Sequence, residues 1–304
     1  MKEAFFQDKF VPFDQAKISI MTHAFNYGTA VFEGIRGYWN KGKKQIYIFR
    51  LKEHYKRLFA SAQVLAIDIV LPIKDLCKIT VELCQRNKYH EDVYVRPIAY
   101  KSQLKIGLGL SGIESDFCMY MSPFGNYLDV ATGIKVGTSS WVRVPDDAVP
   151  PRAKICGMYV NSSLAKCEAL ENGFDEAILL NTEGNVAEGS GENIFFVKDG
   201  KLVTPALSQN ILEGITRATL IQLAKDELGV KTDERIVNKS ELYTADEVFL
   251  CGTGAQVSPV ISVDHRKIGE GKMGSITKKL QKIYFEVAKG DNPKYSSWLT
   301  PVYK

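Results

Sequence analysis

The chain has 304 residues, 45% of them hydrophobic and 24% charged, with a formal net charge of +4. That size and balance suit a soluble globular protein of one large or two medium domains with a full core. The positive charge is not gathered into a basic block, which argues against nucleic acid as the main partner, and no apolar run approaches the roughly 20 residues that span a bilayer.

Six cysteines (Cys77, Cys84, Cys118, Cys156, Cys167 and Cys251) are scattered without a C-x-x-C pair, the usage of a reduced intracellular chain. His23, His54, His90 and His265 lack metal-ligand spacing, so no metal site is expected. The start, Met1-Lys2-Glu3-Ala4-Phe5, reads as neither signal nor transit peptide, and the expected location is the cytoplasm.

Taken in order, residues 18–38 mix aromatic residues with Gly28, Gly34 and Gly37. Glycine permits either close backbone approach to a ligand or the turns of a strand pair. Gln45 to Phe49 reads as a strand, and Leu51, Tyr55, Leu58, Phe59, Ala62 and Leu65 recur at helical spacing. Arg50 stands at that strand-to-helix junction, where a guanidinium could hold a phosphate or make a structural ion pair. A second helix is expected over about 74–87, then a strand over 92–100 in which Tyr94 and Arg96 project from one face. A hydroxyl beside a guanidinium there suits a carboxylate. Leu108-Gly109-Leu110 is a loop, 116–121 a strand, and the Pro, Gly and Asn cluster places a domain boundary in 122–132.

The second half opens with a strand over 134–139 and Trp141. Pro150-Pro151-Arg152-Ala153-Lys154 follows. The prolines forbid a helix before Lys154 and set it among small and apolar neighbours. A lysine so placed loses hydration of its ammonium and can attack a carbonyl, although most lysines are solvated surface charges. A helix runs from Met158 to Gly173, then a strand over 176–180 and a turn over 181–185. Glu188-Gly189-Ser190-Gly191-Glu192-Asn193-Ile194-Phe195 sets carboxylates beside an apolar strand, either to bind a ligand or to lie solvated at its edge. A helix is expected over 212–228. Its start, Gly214-Ile215-Thr216, is an ordinary cap or an anion site. Strand 247–251 runs into Gly252-Thr253-Gly254-Ala255-Gln256, a second loop that exposes N–H groups. A last helix is expected over 274–288, with an irregular tail from Asn292.

A candidate nucleophilic lysine, a nearby tyrosine, a carboxylate, two phosphate grips and two carboxylate grips fit pyridoxal phosphate chemistry. With Tyr27-Gly28-Thr29-Ala30-Val31-Phe32-Glu33-Gly34-Ile35-Arg36, Gly214-Ile215-Thr216-Arg217 and Gly252-Thr253-Gly254-Ala255-Gln256, the chain resembles the branched-chain amino acid aminotransferases of fold-type IV. The resemblance covers nearly the whole chain and is most specific at Glu188–Phe195. It implies an α+β, two-domain fold of the D-amino acid aminotransferase type, with a small domain over 1–121, a loop over 122–132 and a large cofactor-binding domain over 133–304.

It also implies roles. Lys154 would carry pyridoxal 5'-phosphate covalently, Glu188 would pair with the ring nitrogen, and Tyr159 would bond the phenolic oxygen. Arg50, with Gly214, Ile215 and Thr216, would hold the phosphate, and Thr253 would add a second contact. Tyr94 and the backbone of Thr253 and Gly254 would take the substrate carboxylate. Phe32, Tyr27, Tyr127 and Trp141 would line the side-chain pocket, with Gly34 and Arg36 of the same motif beside them. Arg96 at the rim, with Tyr27 and Tyr127, would serve glutamate's second carboxylate. Tyr27, Leu108 and Leu110 would reach the site from a neighbouring subunit of a homodimer or larger assembly. The implied reaction moves the amino group of leucine, isoleucine or valine to 2-oxoglutarate, so the partners are small amino acids and 2-oxo acids.

The chain departs from the family pattern at Cys156 and Met158, where Gly and Asn are common, and at Gly254, where many members have Ala. D-amino acid aminotransferases resemble it too, but their Arg-x-His grip is absent because position 98 is Ile. Aminodeoxychorismate lyase is a further relative of the same fold. A non-catalytic cofactor scaffold would give no reason to assemble Lys154, Tyr159, Glu188 and Arg50.

Overall fold

The computed structural model describes residues 2–125 and 127–303; Met1, Asn126 and Lys304, Asn126 being part of the expected boundary loop, lie outside the described residues. The first stretch runs β1 (Glu3–Phe6), β2 (Lys9–Pro12), α1 (His23–Tyr27), β3 (Ala30–Phe32), β4 (Ile35–Asn40), β5 (Gln45–Phe49), α2 (Leu51–Val64), α3 (Ile73–Asn87), β6 (Val93–Lys101) and β7 (Ser115–Pro123). The chain continues through β8 (Ile134–Thr138), α4 (Tyr159–Glu171), β9 (Glu176–Leu180), β10 (Val186–Gly189), β11 (Asn193–Lys198) and β12 (Lys201–Pro205). Then come α5 (Ile215–Leu228), β13 (Thr232–Arg235), α6 (Lys239–Tyr243), β14 (Glu247–Gly252), β15 (Gln256–Val263), β16 (Arg266–Lys267), α7 (Ser275–Ala288) and β17 (Leu299–Pro301). Among the described residues no helix is long and apolar enough to cross a membrane.

These elements form two units, each with its own sheet. One unit comprises Met1–Gly125, Ala153–Met158 and Glu286–Lys304; the other comprises Asn126–Arg152 and Tyr159–Phe285. This differs from a single boundary at 122–132. Residues 153–158 join the first unit because Ile155 bridges Val31 and Gly157 N–H donates to the Gly28 carbonyl at 3.2 Å. The last residues join it because the expected irregular tail instead forms a 3-10 turn and then β17, paired antiparallel with β5.

The first sheet has the order β17-β5-β4-β6-β7-β1-β2, with β3 also on β6. Along β6, Val93 and Val95 are buried while Tyr94 and Arg96 are half-buried, the period-two alternation expected of a sheet with one face in a core. β3 and β4 share one register on β6, interrupted at Glu33-Gly34, opposite Arg96-Pro97. Proline has no N–H for the ladder, so the break falls there. The expected strand pair of 18–38 is thus a short helix followed by one interrupted strand. α2 packs on α3 and β3.

The second sheet has the order β10-β9-β8-β15-β14-β11-β12-β13, with β16 on β15. β8 is parallel to β9 and β15, and β12 to β13; the other pairs are antiparallel. Its core joins Val136, Ile178, Val186, Ile194, Phe196, Val248, Leu250 and Val260.

Candidate active site

The expected site residues fall into two groups, one in each unit. In the first unit Lys154 is half-buried just before the 3-10 turn Cys156–Met158. Its main chain is fixed twice. Lys154 N–H donates to Ser61 Oγ at 3.0 Å, and its carbonyl accepts from Phe32 N–H at 3.1 Å. Its Nζ stands 4.9 Å from the centre of the Phe32 ring. Arg96 lies against the same ring at 4.4 Å and donates to Tyr94 Oη at 3.0 Å. The expected pairing of Tyr94 and Arg96 on one sheet face is therefore present, and Phe32 links it to Lys154. Two glycines permit these approaches. A Cβ on Gly34 would stand 2.0 Å from Tyr94 Oη. Gly28 has φ +67°, and a Cβ there would come within 2.7 Å of Gly157 Cα.

Arg50 adopts a left-handed conformation (φ 53°) at the start of α2, stacks on Trp298 at 4.2 Å and makes a 3.6 Å ion pair with Glu53. Both the anion-site and ion-pair readings of this arginine thus have support. Its Nε is buried and has no hydrogen-bond partner among the described residues. A buried N–H without an acceptor is costly, and an anion would satisfy it.

Arg36, expected beside the substrate pocket, is buried against main-chain carbonyls. It is 1% exposed and donates to the carbonyls of Phe124 (3.1 Å) and Gly125 (2.8 Å). It stacks on Phe124, whose ring in turn lies 4.9 Å from that of Tyr94. Tyr27 Oη accepts from Gly107 N–H at 3.2 Å, and His23 is bonded to the Gly107 carbonyl at 2.8 Å. That ties α1 to the loop bearing Leu108 and Leu110. Ile20, Phe25, Ile106 and Leu108 on these paired segments are exposed.

In the second unit Glu188 is the centre. One extra residue in β10, between Val186 and Glu188, breaks the register with β9 and re-aims the chain there. Glu188 is 5% exposed, and Arg143 Nη2 pairs with one oxygen at 2.8 Å. The other oxygen accepts from Asn193 Nδ2 and from Leu212 N–H, both at 3.0 Å. Three donors hold it as a carboxylate. Glu192, also buried, behaves oppositely. Burial, and next the Glu176 carboxylate, push it up to about 8. The two carboxyls of one motif thus sit in different surroundings, one gripped by three donors and one raised by burial, which a sequence pattern does not separate.

The helix expected from 212 begins as α5 at Ile215, with Gly214 as its cap. Residue 212 is upstream because its N–H serves Glu188. A Cβ on Gly214 would stand 1.9 Å from Asn193 Oδ1. The first-turn N–H groups of Ile215 and Thr216 have no acceptor within a helix, and Thr216 is buried. Thr253 and Gly254 form the turn between β14 and β15, closed by Gln256 at φ +59°. A Cβ on Gly254 would lie 3.9 Å from the Tyr127 ring, so alanine fits and the departure at 254 is benign. Tyr127 and Trp141 are half exposed, and Tyr159 opens α4.

The Amino-transferase class IV family model matches residues 30–263. A probable branched-chain-amino-acid aminotransferase of Aquifex aeolicus is 52% identical over 303 residues, covering 100% of this chain and 97% of its own. The structure of a branched-chain aminotransferase from Thermoproteus uzoniensis with norvaline superposes with TM-score 0.95 at 42% identity, over 99% of each chain. That of the T.th. branched-chain amino acid aminotransferase, complexed with N-(5'-phosphopyridoxyl)-L-glutamate, gives 0.94 at 42%, also over 99% of each. The chain belongs to the class IV aminotransferases.

Class IV aminotransferases use pyridoxal 5'-phosphate, and this one has residues that fit it. In the first unit the Arg50 Nε suits an anion and Lys154 carries an amine; in the second, taken by itself, the α5 N-terminus suits an anion and the Glu188 carboxylate a cationic N–H. Sequence reasoning missed what holds these groups: Ser61, Arg143, Asn193 and the Leu212 N–H. Asn193 lay inside the most specific motif, and Arg143 lies two residues after Trp141. Neither position carries a signal until Glu188 is seen to need donors. Among the described residues no group of His, Cys, Asp or Glu could hold a metal, and all six cysteines are free thiols.

Proposed function

We propose that this aminotransferase moves the amino group of L-leucine, L-isoleucine or L-valine to 2-oxoglutarate through Lys154 and pyridoxal 5'-phosphate. The observation that carries this reading is the anchoring of Lys154, with its main chain held by Ser61 and Phe32 and its amine beside an aromatic wall. When bound, the cofactor supplies the electron sink for the bond broken at the substrate Cα. Lys154 would carry the cofactor, and its amine would move the proton at the substrate Cα. Glu188 would keep the ring nitrogen protonated, and Tyr159 would bond the phenolic oxygen. Arg50, Gly214, Ile215 and Thr216 hold the phosphate, with Thr253 as a further contact. Tyr94, with the backbone of Thr253 and Gly254, takes the α-carboxylate. Phe32, Gly34, Tyr127 and Trp141 shape the apolar pocket, and Arg36 acts through Phe124 on Tyr94.

Borohydride reduction of the enzyme with its cofactor, followed by peptide mapping, is expected to place the pyridoxyl group on Lys154. Label on another lysine sinks the assignment. The glutamate adduct of the T.th. enzyme supports glutamate as one substrate here. Arg96 reads its second carboxylate, because a buried carboxylate without a cation is costly. Arg96→Ala is expected to weaken 2-oxoglutarate about tenfold or more, and 2-oxoisocaproate much less. Equal losses for both acceptors refute that role.

The apolar side chains of 18–27 and 104–108 are read as the contact with a second copy, which brings Tyr27, Leu108 and Leu110 to the partner's site. A patch of this kind marks an interaction surface. Light scattering is expected to give at least twice the 34.0 kDa chain mass; a monomer at working concentration contradicts it. The cytoplasm remains the proposed location.

A further inference from the structure

The interruption between β3 and β4 holds a charge that the reaction does not use. Glu33 is fully buried. Arg57 grips both of its oxygens, through Nε at 2.6 Å and Nη2 at 2.8 Å, and His54 Nδ1 donates to it at 2.7 Å. Burial alone would push this carboxyl up, but Arg57 and His54 outweigh burial and hold it at about 2. Burial pushes His54 down against the pull of Glu33, and the charges of Arg57 and Lys154 act in the same direction as burial.

Both donors come from α2, and their places on it are informative. Arg50, His54, Arg57 and Ser61 follow one another at four, three and four residues, which is one face of a helix. In order, that face carries the phosphate guanidinium, the two groups that grip Glu33, and the hydroxyl that fixes the Lys154 main chain. On the other side, Glu33 N–H donates to the Pro97 carbonyl at 3.0 Å, next to Arg96. Its neighbours are Phe32, which faces Lys154 and Arg96, and Gly34, which lies under Tyr94. A forked guanidinium–carboxylate pair fixes direction as well as distance. Apolar packing of similar volume could match its stability but not its direction.

We infer that Glu33 is a positioning residue: through Arg57 and His54 it fixes the α2 face against the 32–34 segment, and so sets where the Lys154 amine stands relative to Phe32 and Arg96. The inference rests on the assignment of Lys154 above. It is tested with the full chain freed of cofactor, mixed with pyridoxal 5'-phosphate, and quenched with borohydride at successive times. Pyridoxyl-Lys154 is counted by mass spectrometry, beside the thermal midpoint of each variant. Glu33→Asp keeps the charge but withdraws it by one methylene; Arg57→Lys keeps the charge but loses the fork; Glu33→Gln removes the charge. Each is expected to slow trapping on Lys154 by about tenfold or more at a temperature where it is folded, the scale of loss caused by a misplaced reacting group. A brace for stability alone would lower the midpoint and leave the trapping rate of the folded protein within twofold. That result in Glu33→Asp and Arg57→Lys overturns the inference even if Glu33→Gln does not fold. Label missing from Lys154 in the unaltered chain would instead overturn the assignment of Lys154.

Discussion

Glu188→Gln is expected to lower kcat/KM by two to three powers of ten while the protein stays folded. The carboxylate accepts from Arg143, Asn193 and the Leu212 N–H. A glutamine presents one acceptor oxygen and an NH2 with two N–H donors, so that NH2 must face either the Arg143 guanidinium or the Asn193 amide with its neighbour. Arg143 is then left as a buried cation, 4% exposed, without its counter-charge. Removing one partner of such a pair costs about 3–5 kcal/mol. The part of that loss felt at the ring nitrogen enters the barrier, where each 1.4 kcal/mol is about tenfold. Steady-state kinetics with leucine and 2-oxoglutarate measure it. A loss under tenfold would show that Glu188 does not serve the ring nitrogen. Arg143→Met alongside Glu188→Gln removes the stranded cation, so it is expected to restore thermal stability and leave turnover low.

Gly214→Ala has the second largest expected effect, and its cause is steric. The backbone there has φ −69° and ψ 130°, which alanine adopts freely. The new methyl would stand 1.9 Å from Asn193 Oδ1, so either Asn193 or the start of α5 must move. Asn193 cannot swing without leaving Glu188 and the Leu212 carbonyl, each held at 3.0 Å. Overpacking and the lost hydrogen bonds together cost about 2–4 kcal/mol. A shifted helix start also turns its N–H groups away from the phosphate. The expected result is a lower thermal midpoint without cofactor and pyridoxal 5'-phosphate bound about tenfold or more weakly, read by titration of absorbance. Unchanged affinity would mean that α5 does not hold the phosphate.

Much of this was legible in the sequence. Helices α2 and α3 and strand β6 follow from side-chain periodicity, since each buries one stripe or one face, whereas β9 and β14 are short apolar runs buried on both faces. Lys154 and Glu188 stood out through their flanks and the resemblance they carry. What stayed hidden was long-range pairing. Ser61 meets Lys154 across 93 residues, and Leu212 meets Glu188 across 24. No local pattern marks a serine or a backbone N–H as the partner of a distant group. The same holds for Arg36, which looks like a ligand group in its motif but is buried against the carbonyls of Phe124 and Gly125. The tail beyond Asn292 lacked alternation because β17 has only three residues, too few to show a period.

The pairing of β17 with β5 has a consequence for synthesis. β5 leaves the ribosome about 250 residues before its edge partner. While the rest of the chain is made, Gln45–Phe49 has one side on β4 and an open row of backbone donors and acceptors on the other. Such an edge can pair with a second nascent chain, and long-range strand pairing is where large proteins misassemble. The protection arrives only with Leu299–Pro301, so the first sheet, which also anchors the lysine, keeps an open edge until long after its other strands are made.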